Sequence, residues 1–108
     1  MAFTSRTVTA TYLNPDDSPA TGSVTASLSA TMANGADGVP CIPSTATLDG
    51  SGTATWTLLA NDDSGTTPAG TFYSFDERID GASIHVRSCV IPHAGYPATV
   101  DLLTLPEV

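Results

Sequence analysis

The feature that most constrains this chain is an alternation of period two. Threonine or serine takes every second position, and a small or apolar residue takes the position between. Thr7, Thr9 and Thr11 alternate with Val8, Ala10 and Tyr12. Ser23, Thr25, Ser27, Ser29 and Thr31 alternate with Val24, Ala26, Leu28, Ala30 and Met32. The same beat returns where Thr45 and Thr47 interleave with Ala46 and Leu48, and where Thr53, Thr55 and Thr57 interleave with Ala54, Trp56 and Leu58. Successive side chains of a strand point to opposite faces, so each run reads as a strand with one dry face and one hydroxyl-lined face. β-Branched threonine fits a pleated surface while its hydroxyl stays hydrated. No window carries apolar residues at helical spacing for two turns, and the chain reads as all-β.

Turn formers cut the runs apart. Asn14, Pro15, Asp16, Asp17 and Pro19 stop the first strand, because proline lacks the amide hydrogen and Asn and Asp form their own turns. Residues 33–43 and 61–70 read as long polar loops, 49–52 as a tight turn, and 80–81 and 92–97 as further breaks. Seven strands at about 8–15 residue spacing predict a single seven-stranded antiparallel β-sandwich, with residues 1–108 as one domain.

Register follows from the turns. A two-residue loop at Asp80-Gly81 places Ile79 opposite Ala82. Phe75 then faces Val86 and Tyr73 faces Ser88, while Asp76 faces His85, Ser74 faces Arg87 and Phe72 faces Cys89. Glu77 falls on the apolar face opposite Ile84, and is expected at the rim of the core where water reaches it. Leu48 and Ala54 must share a face, as must Ala46 and Trp56. That parity predicts a three-residue loop or bulge with Gly50 or Gly52 at positive φ.

Charge excludes several functions. Charged residues make up 13% of the chain, with three arginines, no lysine and eleven carboxylates, for a net charge of −8. Phosphate neutralisation needs a basic stripe that three arginines cannot supply, so no nucleic-acid partner is expected. Apolar stretches reach only two or three residues, too short for a membrane span. The first residues carry no charged region followed by an apolar one, so no secretion signal is expected, and the protein is expected to stay in the cytoplasm or to leave it by another route such as cell lysis. Cys41 and Cys89 belong to no CxxC, and free thiols are the expectation in that compartment. A zinc site wants about four clustered nitrogen or sulfur ligands. Two cysteines and two scattered histidines do not provide them, and no metal or cofactor is expected.

Asn61-Asp62-Asp63-Ser64 is the densest carboxylate cluster. Calcium takes about six to eight oxygens, usually from alternating acids, so adjacent acids read as a solvated loop. Asp16-Asp17 reads the same way. Ser74, His85 and Asp76 offer the residue types of a hydrolytic triad. On a hydrated sheet face, without a strained nucleophile turn, they predict a cross-strand ion pair instead. His93 reads as an exposed turn residue. Trp56, Tyr12, Tyr73 and Phe75 fall on the dry phase and are expected in the core. Phe72 and Tyr96 fall outside it, and with Asp62 and Asp63 they form the candidate contact surface.

Certain strings resemble a known type. Thr9-Ala10-Thr11-Tyr12-Leu13-Asn14-Pro15-Asp16, followed by Pro19-Ala20-Thr21-Gly22-Ser23-Val24, resembles the first hairpin of prealbumin-like, carboxypeptidase-regulatory-type sandwiches. Thr47-Leu48-Asp49-Gly50-Ser51-Gly52 and Pro68-Ala69-Gly70-Thr71-Phe72-Tyr73 continue that pattern, and Tyr73, Phe75, Glu77, Ile79 and Asp80-Gly81 complete it. The whole is similar to a short module of virion proteins from tailed phages of actinobacteria. The resemblance implies a prealbumin-like or Ig-like β-sandwich and a non-enzymatic structural protein displayed on the particle, as a capsid decoration or minor tail protein. Its partners would be a capsid or tail protein, with self-association on the particle. Some prealbumin-like adhesin modules carry a Lys–Asn isopeptide bond, which a chain without lysine cannot form. The alternative is a host-adhesion module that binds cell-wall carbohydrate through Phe72, Tyr96 and the loop acids. A hydrolase using Ser74, His85 and Asp76 is a third class, which the non-enzymatic reading sets aside.

Overall fold

A computed structural model describes residues 3–108. Nine strands follow one another: β1 (Ser5–Thr11), β2 (Gly22–Leu28), β3 (Met32–Asn34), β4 (Asp37–Val39), β5 (Ser44–Thr47), β6 (Thr53–Leu59), β7 (Tyr73–Ile79), β8 (His85–Cys89) and β9 (Thr99–Asp101). A single 3-10 turn, Leu102–Thr104, succeeds β9. One sheet has the order β6-β1-β9, a second β5-β2-β7-β8, and β3-β4 form a separate ribbon. The fold is all-β and sandwich-like. It has nine strands in three sheets, where the periodicity predicts seven in a single sandwich.

The alternation sorts side chains as the sequence demands. Val8, Ala10, Val24, Ala26, Leu28, Ala46, Leu48, Ala54, Trp56 and Leu58 are all buried, while Thr11, Thr45, Thr47, Thr55 and Thr57 are exposed. Each fully buried Val, Leu or Phe side chain stabilises the fold by about 1.5–3 kcal/mol. The Trp56 ring on β6 and the Phe75 ring on β7 meet edge to face with centroids 5.3 Å apart, which ties the two larger sheets across the core. On the outside, Thr7 pairs with Thr57, Thr9 with Thr55 and Thr11 with Thr53. The Thr11 and Thr53 hydroxyls are 2.9 Å apart, as are those of Thr25 and Thr45 on the other sheet.

Two connections differ from the expected hairpins. β1 and β2 lie in different sheets, joined at the base of their loop by a Leu13–Pro19 bridge. β5 and β6 also divide between the sheets. Leu48 and Ala54 therefore meet in one core from opposite sides, so the parity is met by changing sheets. Gly52 has φ +77°, as predicted for this turn, and a Cβ there would stand 2.3 Å from the Tyr12 carbonyl oxygen.

The ribbon β3-β4 lies inside the expected loop 33–43. Asn34 pairs with Asp37 around Gly35, whose φ of +59° suits the first central position of a two-residue hairpin turn. The β7-β8 register is one residue out of step with the expected one. Phe75 faces Arg87, Asp76 faces Val86, Ser74 faces Ser88, Tyr73 faces Cys89 and Glu77 faces His85. A type I′ turn would need positive φ at both Asp80 and Gly81, and only Gly81 has it, at +83°. The chain instead closes a turn from the Ala82 amide to the Ile79 carbonyl, which takes glycine at its third position.

Candidate functional site

Arg6 shares the dry phase of β1 with Val8 and Ala10 and is buried. Its guanidinium donates to main-chain carbonyls only: Nε to Pro92 at 3.0 Å, one terminal nitrogen to Tyr96 and Pro97 at 3.4 and 3.2 Å, the other to His93. Four hydrogen bonds from one planar fork thus fold residues 92–97 around a single side chain. Asp62 fastens the same loop from outside by accepting the His93 amide at 2.7 Å, with His93 Nδ1 at 2.9 Å. Buried Asn61 accepts the Ile91 amide at 2.8 Å. Tyr96 stands 40% exposed on this anchored loop.

The acid cluster is therefore a set of fasteners. Asp63 accepts both the Thr4 amide at 2.7 Å and the Thr4 hydroxyl at 2.8 Å. A depression of about 270 Å³ beside it is lined by Asn61, Asp62, Asp63, Thr66, Thr71 and Val90 among others, and neither Phe72 nor Tyr96 borders it. Phe72 is half-buried at the start of β7, where its amide donates to the Ser29 hydroxyl at 3.0 Å. Asp62 is brought to the Tyr96 loop, and no ring contact or hydrogen bond joins Phe72 to Tyr96 among the described residues. His93 is exposed, as expected of a turn residue, and is tied to Asp62.

A second polar cluster sits where the two sheets meet. Glu77 lies on the apolar face of β7, as its phase predicts, but it is buried at 4% exposure and does not reach the water expected there. The Tyr12 hydroxyl donates to it, His85 Nδ1 lies 2.5 Å away, and Arg87 Nε lies 3.6 Å away. Arg87 also reaches Glu107 at 3.7 Å. Burial, then the hydrogen bond and charge of Glu77, push the Tyr12 phenol far above its ordinary value. Burial also raises the Tyr73 phenol, which donates to the Leu59 carbonyl at 2.9 Å, and the Cys89 thiol. Cys41 and Cys89 are both free.

The triad-like trio is dispersed by the register. His85 faces Glu77 rather than Asp76, Ser74 meets the Ser88 hydroxyl at 3.2 Å, and Asp76 pairs with Arg78 at 3.0 Å. No group of three or more metal-binding side chains gathers among the described residues. Arg6 was legible in principle, because a charged residue on the dry phase of a strand must find buried partners. Its partners are loop carbonyls, which carry no side-chain signature. What the fold defines is a sandwich-like all-β protein with one loop built around a buried arginine. No protein-family model matches the chain, and no curated protein matches it.

Proposed function

We propose that this is a prealbumin-like or Ig-like display module, a non-enzymatic structural protein on the surface of a phage particle. It would serve as a capsid decoration or a minor tail protein, docked on a larger virion protein. The resemblance of its short motifs supplies the virion setting. The observation that carries the docking role is the loop at residues 92–97, held by Arg6 and Asp62 so that Tyr96 is presented on a fixed backbone. Loops on a rigid scaffold carry most recognition, and an ordered loop loses little entropy on binding. Repeated copies on a particle would make weak single contacts effective. Cryo-electron microscopy of purified particles, with antibody labelling beside it, tests this reading. Density or label at regular surface positions supports it, and absence of the chain from particles overturns it.

Tyr96 also favours a second reading, adhesion to cell-wall carbohydrate, since an exposed aromatic ring on a fixed loop can stack on a sugar. A glycan array with the isolated protein, repeated on Tyr96→Ala, separates the two. Glycan binding lost in the variant selects adhesion, and silence with firm particle attachment selects decoration.

A further inference from the structure

We infer that the outer edge of β8 is a strand-acceptor site, and that its occupant is an extended segment of a larger protein in which acidic and apolar residues alternate. β8 ends the four-stranded sheet. The chain already lays a short stretch of itself along this edge. Glu107 bridges Cys89 in antiparallel fashion, and the Val108 amide donates to the Ser88 carbonyl at 2.8 Å. In an antiparallel ladder the amide and carbonyl of one residue point to the same side, and the side alternates along the strand. Ser88 faces outward, so Val86 does too. Among the described residues no backbone group pairs with the outward side of Val86.

Side chains along this edge specify what fits. Val86 and Ile84 are each 57% exposed, and share with Ser88 the face that Val108 adjoins. His85 and Arg87 alternate with them on the other face. Arg87 lies between Glu77 and Glu107, and its buried Nε has no hydrogen-bond partner. The tail therefore offers a carboxylate toward Arg87 and then an apolar residue on the outer face. Carried on in that register, the pattern requires an acid opposite Arg87, an apolar residue opposite Val86, an acid opposite His85 and an apolar residue opposite Ile84. A second copy fits poorly. Antiparallel pairing of β8 with itself about Val86 would set Arg87 against His85 of the other copy, so neither side chain would meet a carboxylate across the new pair. Inward-pointing charge on an edge strand thus refuses its own kind and admits an acidic strand.

The inference deepens the docking reading, since it names a surface through which a virion protein would hold the chain. Its test does not depend on phage. The isotope-labelled protein is titrated with the capped peptide Glu-Val-Glu-Val, whose first Glu falls opposite Arg87 in this register, and with the same peptide carrying Lys for Glu. Amide shifts confined to β8 and its preceding turn, with Val86 exchange slowed about tenfold or more, are expected for the acidic peptide only. Val86→Pro should keep the fold, because proline is tolerated on edge strands where its missing N–H faces solvent, and should abolish these shifts. Equal binding of the lysine peptide overturns the proposal. So do shifts on β5, β6 or β9 instead, no shift at millimolar peptide, or a dimer in sedimentation that protects Val86 unaided. Peptide binding with the chain absent from particles would sink the virion reading alone. A chain present on particles whose β8 ignores the peptide would sink this proposal alone.

Discussion

The two buried charges solve the same problem in opposite ways. Glu77 is matched by side chains, a hydroxyl from Tyr12 just past β1 and the His85 ring and Arg87 guanidinium on β8. Arg6 is matched by the carbonyls of one loop. A carboxylate whose partners lie on different sheets holds those sheets in register. A guanidinium whose partners lie in one loop holds that loop and little else. The difference predicts that losing Glu77 weakens the whole fold, whereas losing Arg6 frees a surface.

Glu77→Ala should have the largest effect. Removing one member of a buried, hydrogen-bonded charge set costs about 3–5 kcal/mol. The low end is expected here, since His85 is mostly exposed and can regain water. Denaturant melts would measure it, and a loss below about 1 kcal/mol would remove Glu77 from the sheet contact. Arg6→Ala should cost about 2 kcal/mol, because hydrogen bonds from a charged donor are worth more than neutral ones, yet the freed carbonyls can meet water. Faster amide exchange should be confined to residues 92–97 and their Asp62 contact. Exchange that rises equally in β2 and β7 would erase the distinction between the two charges.

Alkali should act on the buried phenols, Tyr12 beside Glu77 and Tyr73 in the core, and not on the Arg6 loop. The Tyr12 and Tyr73 phenols are both raised in the folded protein, chiefly by burial. A raised folded value means that the native state keeps its proton where the unfolded chain has lost it. Stability is thus fully present below about pH 10 and falls as pH rises beyond it. Tyr12→Phe should flatten that fall, and an unchanged slope in melts between neutral and alkaline pH would contradict the assignment. The smallest effect belongs to the hydroxyl face. Thr55→Val keeps the β-branch on an exposed position and should change stability by no more than about 0.5 kcal/mol. A larger loss would mean that the threonine ladder is itself a source of strength.

The dry and wet faces of β1, β2, β5 and β6 were plain in the alternation, because a period of two survives any arrangement of strands. Which strand joins which sheet was not. The turns at residues 14–19 and 49–52 look like hairpin turns locally, and only packing decides that they cross between sheets. Asp80-Gly81 permits two turn types whose registers differ by one residue, and φ at Asp80 chooses between them. That choice moved His85 from Asp76 to Glu77 and dissolved the apparent triad. Three-residue strands such as β3 and β4 are too short to show alternation, although Asn34-Gly35 carries a hairpin signal that a long-loop reading passes over. At the candidate site, the exposure of Tyr96 was legible from its place in the 92–97 loop. The loop acids are fasteners because of the chain segments beside them, which lie about thirty or sixty positions away in sequence.

The parallel pairing of β1 with β9 has a consequence for how the molecule comes into being. Thr7, Val8 and Thr9 find their neighbours at Thr99, Val100 and Asp101, so the first strand waits for the last. During synthesis the central strand of that sheet has one flank open until a strand about ninety positions later has emerged. Val100, Leu102 and Leu105 then bring the final apolar side chains to the core. Non-local closure of this kind is slow, because the entropy of the long loop is lost before the contacts compensate. Residues 5–101 are thus built to close as a unit, with β1 secured by β9.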